Sequence, residues 1–486
     1  MRPILAGIET EYGLLVEGSG AEEQIDHSMA LVRGYSGGRF SGWDYRHESP
    51  RADLRGFSLE RLEADPIDSQ FDRTPRTSSD QEVRSDRILL NGARFYNDHG
   101  HPEYSTPECW GLDEIALHDA YGETVVLQAA KEYEAACGRK VTVYKNNVDY
   151  HGASYGTHEN YLVPRSLGFE ALYRAVTPML LVRQVLTGAG RVGSEKDRTI
   201  PFQMSQRADF LVESANAETL YRRPIFNTRD EPHADPRKHI RLHVISGDAN
   251  MMPSCTARKV GLVKLALSLA EADDVPIWGI LDPPSSFRAV SQGHRLDTRI
   301  ELSGGSWTTP LHILESYLDA AERRGWYSAL IEECRTLLKD FDARPELFKR
   351  EVDWAAKYEM LEGYRVSEGL TWDDPVISAL DLEYHNVDPS EGLFHALVES
   401  GEVDSVPDPQ LVASRSSAPC EGTRAYARHI ALSKFLEHVM TLSWSSITFN
   451  TSEGMVEVFL DPERNFGPEL ESVRSVEEFI KAIGGN

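Results

Sequence analysis

The sequence predicts an α+β fold in which a sheet presents charged and polar side chains on one face and rests its other face on helices. Three observations carry that reading. Four separated segments alternate functional and apolar residues with the period of a strand, and four longer stretches carry apolar residues at helical spacing. A stretch with prolines and serines, 404–419, then reads as a linker before a small mixed unit. The organisation that follows is a large unit over residues 1–408 and a small α+β unit over 419–486.

The first strand comes almost at once, in Ala6-Gly-Ile-Glu-Thr-Glu-Tyr-Gly13. Alternate side chains of an extended strand share a face, so Glu9 and Glu11 stand side by side while Ile8, Thr10 and Tyr12 point the other way. Two carboxylates held that close repel each other, and a divalent cation is the usual way a fold tolerates them. A solvated edge strand is the ordinary explanation for a charged pair. Three further segments of the same kind weigh against it. In Asn91-Gly-Ala-Arg-Phe-Tyr-Asn-Asp98, Arg94, Tyr96 and Asp98 share a face opposite Phe95, and His101-Pro-Glu103 follows. In 154–162, His158 and Asn160 fall together, and in 239–245, Arg241 and His243 align against Leu242 and Val244. Such a face offers oxygen ligands for a metal and fixed positive charge for phosphate oxygens, the two requirements of Mg-nucleotide chemistry.

Amphipathic helices are expected over 169–186, 257–272, 311–341 and 346–364, backing the other face of the sheet. Past the linker, 424–440 reads as a helix, 446–450 and 455–460 as strands, and 476–483 as a final helix. Gly188-Ala-Gly-Arg-Val-Gly193 fits the dinucleotide fingerprint in spacing only. A helix precedes it and polar residues follow, so it reads as a helix stop and loop. There is no Gly-Lys-Ser/Thr phosphate loop either, which leaves nucleotide binding to the sheet.

The Glu-x-Glu strand and the Gly-x-His-x-Asn element resemble the glutamine synthetase and carboxylate-amine ligase superfamily, whose members build a Mg-ATP site on a curved, mainly antiparallel sheet. A narrower resemblance, from Gly7 to about Phe466, is to the pupylation enzymes. It rests on residues 7–13, 91–94, 101–104, 156–162, 205–209 and 227–235. That family has a ligase branch, which joins the small protein Pup to lysines, and a deamidase and depupylase branch (Dop). Three features resemble the second branch: the polar insertion 41–87, Thr157 in the Gly-Thr-His motif, and Thr187-Gly-Ala-Gly-Arg-Val-Gly193. Asn97-Asp98-His99-Gly100 departs from that branch's usual surroundings of its aspartate.

The resemblance implies an ATP-dependent hydrolase that converts the C-terminal glutamine of Pup to glutamate and cleaves the isopeptide bond between Pup and substrate lysines. The alternative is an ATP-consuming ligase of Pup or of a small amino acid. It implies magnesium ligands at Glu9, Tyr96 and Glu103, with Glu11 added, ATP contacts at Arg94, Thr106 and Trp444, and an essential Asp98. His158, Arg241 and His243 join the ATP site on strand alternation alone. ATP and Mg2+ are the implied cofactors. Pup and pupylated proteins are the implied partners, with a functional link to the bacterial proteasome.

With 486 residues, 41% hydrophobic and 26% charged, the chain has ample material for a large core. A formal charge of −26 argues against nucleic-acid binding. No apolar run approaches the ~20 residues of a membrane span, and no signal-peptide core follows Met1, so the cytoplasm is the expected compartment. Five scattered cysteines show no metal-type pairing and are expected to be reduced and buried.

Overall fold

The alternation in the first strand lays out the molecule. In the computed structural model, which describes residues 2–60, 80–149, 154–404 and 407–484, six strands form one sheet. They are β1 (Ala6–Glu11), β2 (Arg87–Ile88), β3 (Arg94–Asp98), β4 (His101–Ser105), β5 (Thr157–Pro164) and β6 (His239–Val244), in the order β6-β5-β1-β4-β3-β2. Every neighbouring pair is antiparallel. Registers set Glu9 across from Ser105 on one side and His158 on the other, Glu11 across from Glu103, and Tyr96 across from Glu103. The period of two then puts every expected strand residue of the site on one face.

The opposite face is mostly apolar and helix-covered, and it also holds the buried Glu159–Arg183 pair at 2.6 Å. Ile8, Tyr161, Val163, Ile240, Leu242 and Val244 join one large core with helices α3 (Gly168–Val182), α4 (Pro253–Glu271) and α5 (Pro310–Arg323). Earlier in the chain, α1 (Gln24–Gly34) and α2 (Leu112–Cys137) pack with Tyr12, Phe95 and Tyr104 around a second core. The one polar group of β1 on this side, Thr10, donates to Asp119 Oδ1 at 2.9 Å.

Several expected elements differ in detail. The stretch 311–341 forms two helices, α5 and α6 (Ser328–Ala343), because Gly325 and Tyr327 between them take positive φ of 68° and 53°. The region 346–364 is the short Pro345–Phe348 turn followed by α7 (Asp353–Glu368). The expected linker contains the helix Pro409–Ser416, started by the Asp408 side chain accepting from Gln410 N. Gly188 does end a helix, Gln184–Thr187.

At the C-terminal end, α8 (Arg424–Lys434) stops earlier than expected. Strands β7 (Val439–Leu442), β8 (Ser446–Thr451) and β9 (Gly454–Phe459) form an antiparallel meander, and α9 (Val476–Gly484) follows. These elements share a separate core that also takes in Trp43 and Ile88. No helix among the described residues is long and apolar enough to cross a membrane.

The two parts are joined by a buried ion group: Glu108 meets Arg428 Nη1 at 3.1 Å and Arg424 Nε at 3.0 Å. Burial works against ionisation of Glu108, but Arg428 and Arg424 outweigh it and hold its pKa at about 2. Because the folded value lies below the unfolded one, this stabilisation is full above about pH 4.5 and fades toward pH 2. It is on the order of 3 kcal/mol at most, and burial of Arg424 beside Arg428 offsets part of it. Glu108→Gln is expected to lower stability at neutral pH and to flatten the acid limb of a urea-unfolding series; an unchanged limb would count against this account.

Candidate functional site

On the polar face of the sheet, two groups of possible metal ligands lie next to each other. Glu11, Asp98 and Glu103 place one carboxylate oxygen each within 4.8 Å of one another, and Glu9, His158 and His243 do the same with their ligand atoms. β1 contributes to both groups, since Glu9 faces β5 and Glu11 faces the β3–β4 hairpin. His158 bridges the two, with Nδ1 at 3.7 Å from Glu9 and Nε2 at 4.0 Å from Glu11.

Charge is not evenly shared among these acids. Burial, then Asp98, Glu9 and Glu11, push Glu103 well above the ordinary carboxylate range. Burial also raises Glu11, with His158 opposing it and Asp98 adding to it. Burial presses Glu9 toward protonation as well, yet the neighbouring His158 and the charges of Arg241 and Arg94 hold it below its usual value. Asp98 is similar: burial is outweighed by His99, Arg84, His158 and Arg94, and it stays ionised. Crowded carboxylates of which two, Glu103 and Glu11, are pushed toward protonation are relieved by a cation. Tyr96 reaches this group through its hydroxyl, which donates to Glu103 Oε1 at 2.5 Å.

Beside the carboxylates, a cleft opens between the sheet and the C-terminal elements, lined by Gly7, Glu9, Thr106, Arg241, Arg424 and Trp444 among others. Gly7 points along the same face as Glu9. A Cβ there would meet only Thr106 Oγ1 at 3.6 Å and Pro107 O at 4.0 Å, so packing does not require a glycine and the space serves the cleft. Thr106 Oγ1 accepts from Ile8 N at 3.0 Å, and its hydroxyl proton remains available. Arg241 donates to Asn160 Oδ1 at 2.7 Å and stands 3.9 Å from Glu9. His243 Nδ1 lies 2.8 Å from Asn160 Oδ1. Trp444 is half-buried, edge-on to Trp43 at 5.0 Å and under the Arg428 guanidinium at 5.0 Å.

Arg94 lies deeper than a simple ligand contact. Its Nη2 is 2.6 Å from Asp86, and its guanidinium packs between the rings of Trp43 (4.2 Å) and Tyr96 (3.8 Å). Trp43, Tyr45, Arg84 and Asp86 all come from the 41–87 insertion, of which residues 61–79 lie outside the described residues. Arg84 also pairs with Asp98 at 3.5 Å. The insertion therefore builds part of the site, and its arginine touches the aspartate singled out from sequence. Arg84, Asp86, Glu108 and Arg424 were not found by sequence reasoning. The only available signal for Arg424 was its place at the start of a helix, and the insertion has no period to read.

The cysteines correct an expectation. Cys137 is only partly buried, and Cys109 and Cys420 are brought to 3.4 Å beside His118 by a chain that returns after 311 residues.

Comparison with known proteins agrees with this geometry. The Pup-ligase protein family matches residues 4–448. A depupylase of Acidothermus cellulolyticus is 38% identical, and a Pup deamidase/depupylase of Mycolicibacterium smegmatis is 36% identical; each match covers 99% of both chains. A Pup–protein ligase of Kocuria rhizophila is 35% identical over 80% of this chain and 89% of its own. Among solved structures, the ligase PafA bound to Pup superposes with a TM-score of 0.79 at 28% identity, covering 99% of this chain and 92% of that one. PafA in complex with ADP gives 0.74 at 29% identity, over 88% and 96%. The glutamine synthetase-like fold expected from the sequence is shared with these neighbours. With matches of this length and identity, the chain belongs to the Pup-ligase protein family.

Proposed function

We propose that this protein is a nucleotide-dependent hydrolase of the cytoplasm that deamidates the C-terminal glutamine of Pup and cleaves the isopeptide bond between Pup and substrate lysines. The observation that carries the proposal is the place of Asp98. It is ionised, partly exposed at the end of β3, and within 4.8 Å of the metal-type carboxylates Glu11 and Glu103. The hydrolase reading is favoured over the ligase because relatives named for depupylation match over 99% of both chains, whereas the ligase match spans 80% of this one.

ATP fits the cleft by its donor set: Arg241, Arg424 and the Thr106 hydroxyl for phosphate oxygens, and Trp444 for a base. Magnesium fits Glu9, Glu11 and Glu103, hard oxygen donors without enough nearby cations to neutralise them all. A bound metal would supply positive charge to these carboxylates, and the anionic nucleotide would be held by Arg241, Arg424 and the Thr106 hydroxyl. Asp98 then has two routes. As nucleophile it attacks the γ-carboxamide or isopeptide carbon, the C–N bond breaks as the nitrogen takes a proton from solvent and leaves as ammonia or the lysine amine, and water opens the resulting anhydride to restore the Asp98 carboxylate. As general base it takes a proton from water as that water attacks the same carbon, then passes the proton to the nitrogen as the C–N bond breaks. In either case Arg84 leaves or shares Asp98 when substrate arrives, because it occupies one side of that carboxylate.

What the nucleotide is for tests the proposal. Condensing a carboxylate with an amine in water is uphill and consumes ATP for each bond, whereas hydrolysing an amide is downhill and needs only a lower barrier. Deamidation is therefore expected to stop when nucleotide is removed, yet to run through many amide bonds for each ATP hydrolysed. Counting ADP against glutamate formed at the Pup C-terminus checks this; a steady one-to-one ratio would overturn it in favour of the ligase.

A further inference from the structure

Behind the cleft, and away from the carboxylate face, three buried side chains converge. Cys109 follows β4, His118 lies on α2, and Cys420 precedes α8. Cys109 Sγ and Cys420 Sγ are 3.4 Å apart, Cys420 Sγ and His118 Nε2 are 3.2 Å apart, and the three ligand atoms all lie within 4.8 Å of one another. None of the three residues is more than 3% exposed. Glu114, one turn before His118 on the same helix, is engaged at the helix start, its carboxylate accepting from Trp110 N at 3.0 Å and Gly111 N at 3.3 Å.

We propose that Cys109, His118 and Cys420 bind a zinc-class divalent ion through two sulfurs and one imidazole nitrogen. A tetrahedral zinc with bonds of about 2.3 Å to sulfur and about 2.0 Å to nitrogen spans about 3.8 Å between two sulfurs and about 3.5 Å from sulfur to nitrogen. The observed separations are shorter by only a few tenths of an ångström, a side-chain adjustment. Two sulfurs and an imidazole select such a metal over magnesium, which prefers oxygen, so this site and the carboxylate face would not compete for the same ion. Thiols are also weak partners for a buried imidazole, whereas metal–thiolate bonds supply folding free energy. Binding exchanges the two S–H protons for two S–metal bonds and releases the protons to solvent.

The location gives the ion a role. Cys109 adjoins Glu108, and Cys420 lies a few residues before Arg424 and Arg428, the two arginines that Glu108 holds. A metal here would fasten the C-terminal elements to the sheet directly behind the cleft wall formed by Glu108 and Arg424.

Cobalt(II) titration of the full-length protein, stripped of metal by a chelator and kept reduced, tests the site. Wild type is expected to take up one equivalent, with the near-ultraviolet thiolate-to-cobalt band and the intense visible bands of tetrahedral cobalt, in the presence of excess magnesium. Cys420→Ser and Cys109→Ser are expected to lose the bands, and Cys137→Ser to keep them. Folded wild-type protein that shows no such bands would overturn the proposal. So would mass spectrometry of freshly purified, metal-free protein showing a Cys109–Cys420 disulfide as the resident state. The wild-type titration decides the matter even where a variant fails to fold.

Discussion

Asp98→Ala is expected to lower turnover for amide and isopeptide cleavage by about 10²–10⁴-fold or more while leaving nucleotide affinity largely intact. The expectation comes from its position: it lies on the site face beyond Arg94 and Tyr96, and it is separate from the cleft-lining groups around Trp444. Its removal also relieves repulsion on Glu11 and Glu103, both of which it pushes toward protonation. Metal affinity in the variant is expected to change less than turnover, because this relief offsets part of the attraction lost with the Asp98 charge. Mass spectrometry of the Pup C-terminus gives the rate and calorimetry the affinity. Cleavage at near wild-type rate would remove Asp98 from the mechanism.

Glu9→Ala and Glu103→Ala are expected to act on the other quantity, weakening Mg-nucleotide binding by about 10²-fold or more, since loss of even a supporting neighbour of a metal ligand typically costs about 10–100-fold. Magnesium demands a near-ideal octahedron, and the remaining oxygens cannot complete it easily. The Glu103 position carries a second expectation of opposite sign. Wild-type Glu103 is a buried acid pressed by three carboxylate neighbours, so Glu103→Gln without metal is expected to be at least as stable as wild type. Unchanged nucleotide affinity in both alanine variants, measured with magnesium present, would place the metal elsewhere.

The sheet was legible because its chemistry follows the backbone period. Glu9, Glu11, Arg94, Tyr96, Asp98, Glu103, His158, Arg241 and His243 fall at alternate strand positions, and antiparallel register brought them to one face. Helix ends were less legible. The break between α5 and α6 depends on left-handed conformations at Gly325 and Tyr327, where Gly325 alone left a sequence signal. The helix Pro409–Ser416 was hidden by its prolines, although Asp408 followed by Pro409 is a start signal. Arg84, Asp86 and the Cys109, His118 and Cys420 group were out of reach for a different reason. Arg84 and Asp86 lie in an insertion with no period to read, and Cys420 reaches Cys109 and His118 across more than 300 residues, an encounter that no local pattern encodes.

The distance between partners also bears on how the protein is made. Arg428 closes on Glu108 across 320 residues of chain, and the cleft wall at Arg424 and Trp444 is made well after the strands of the sheet. Contacts so far apart in sequence form late in folding. The carboxylate face can assemble on a nascent chain once β6 has emerged, but the nucleotide cleft cannot. Nascent chains and truncations that stop before Arg424 and Trp444 therefore lack a complete cleft, and nucleotide binding is expected only once that segment has emerged.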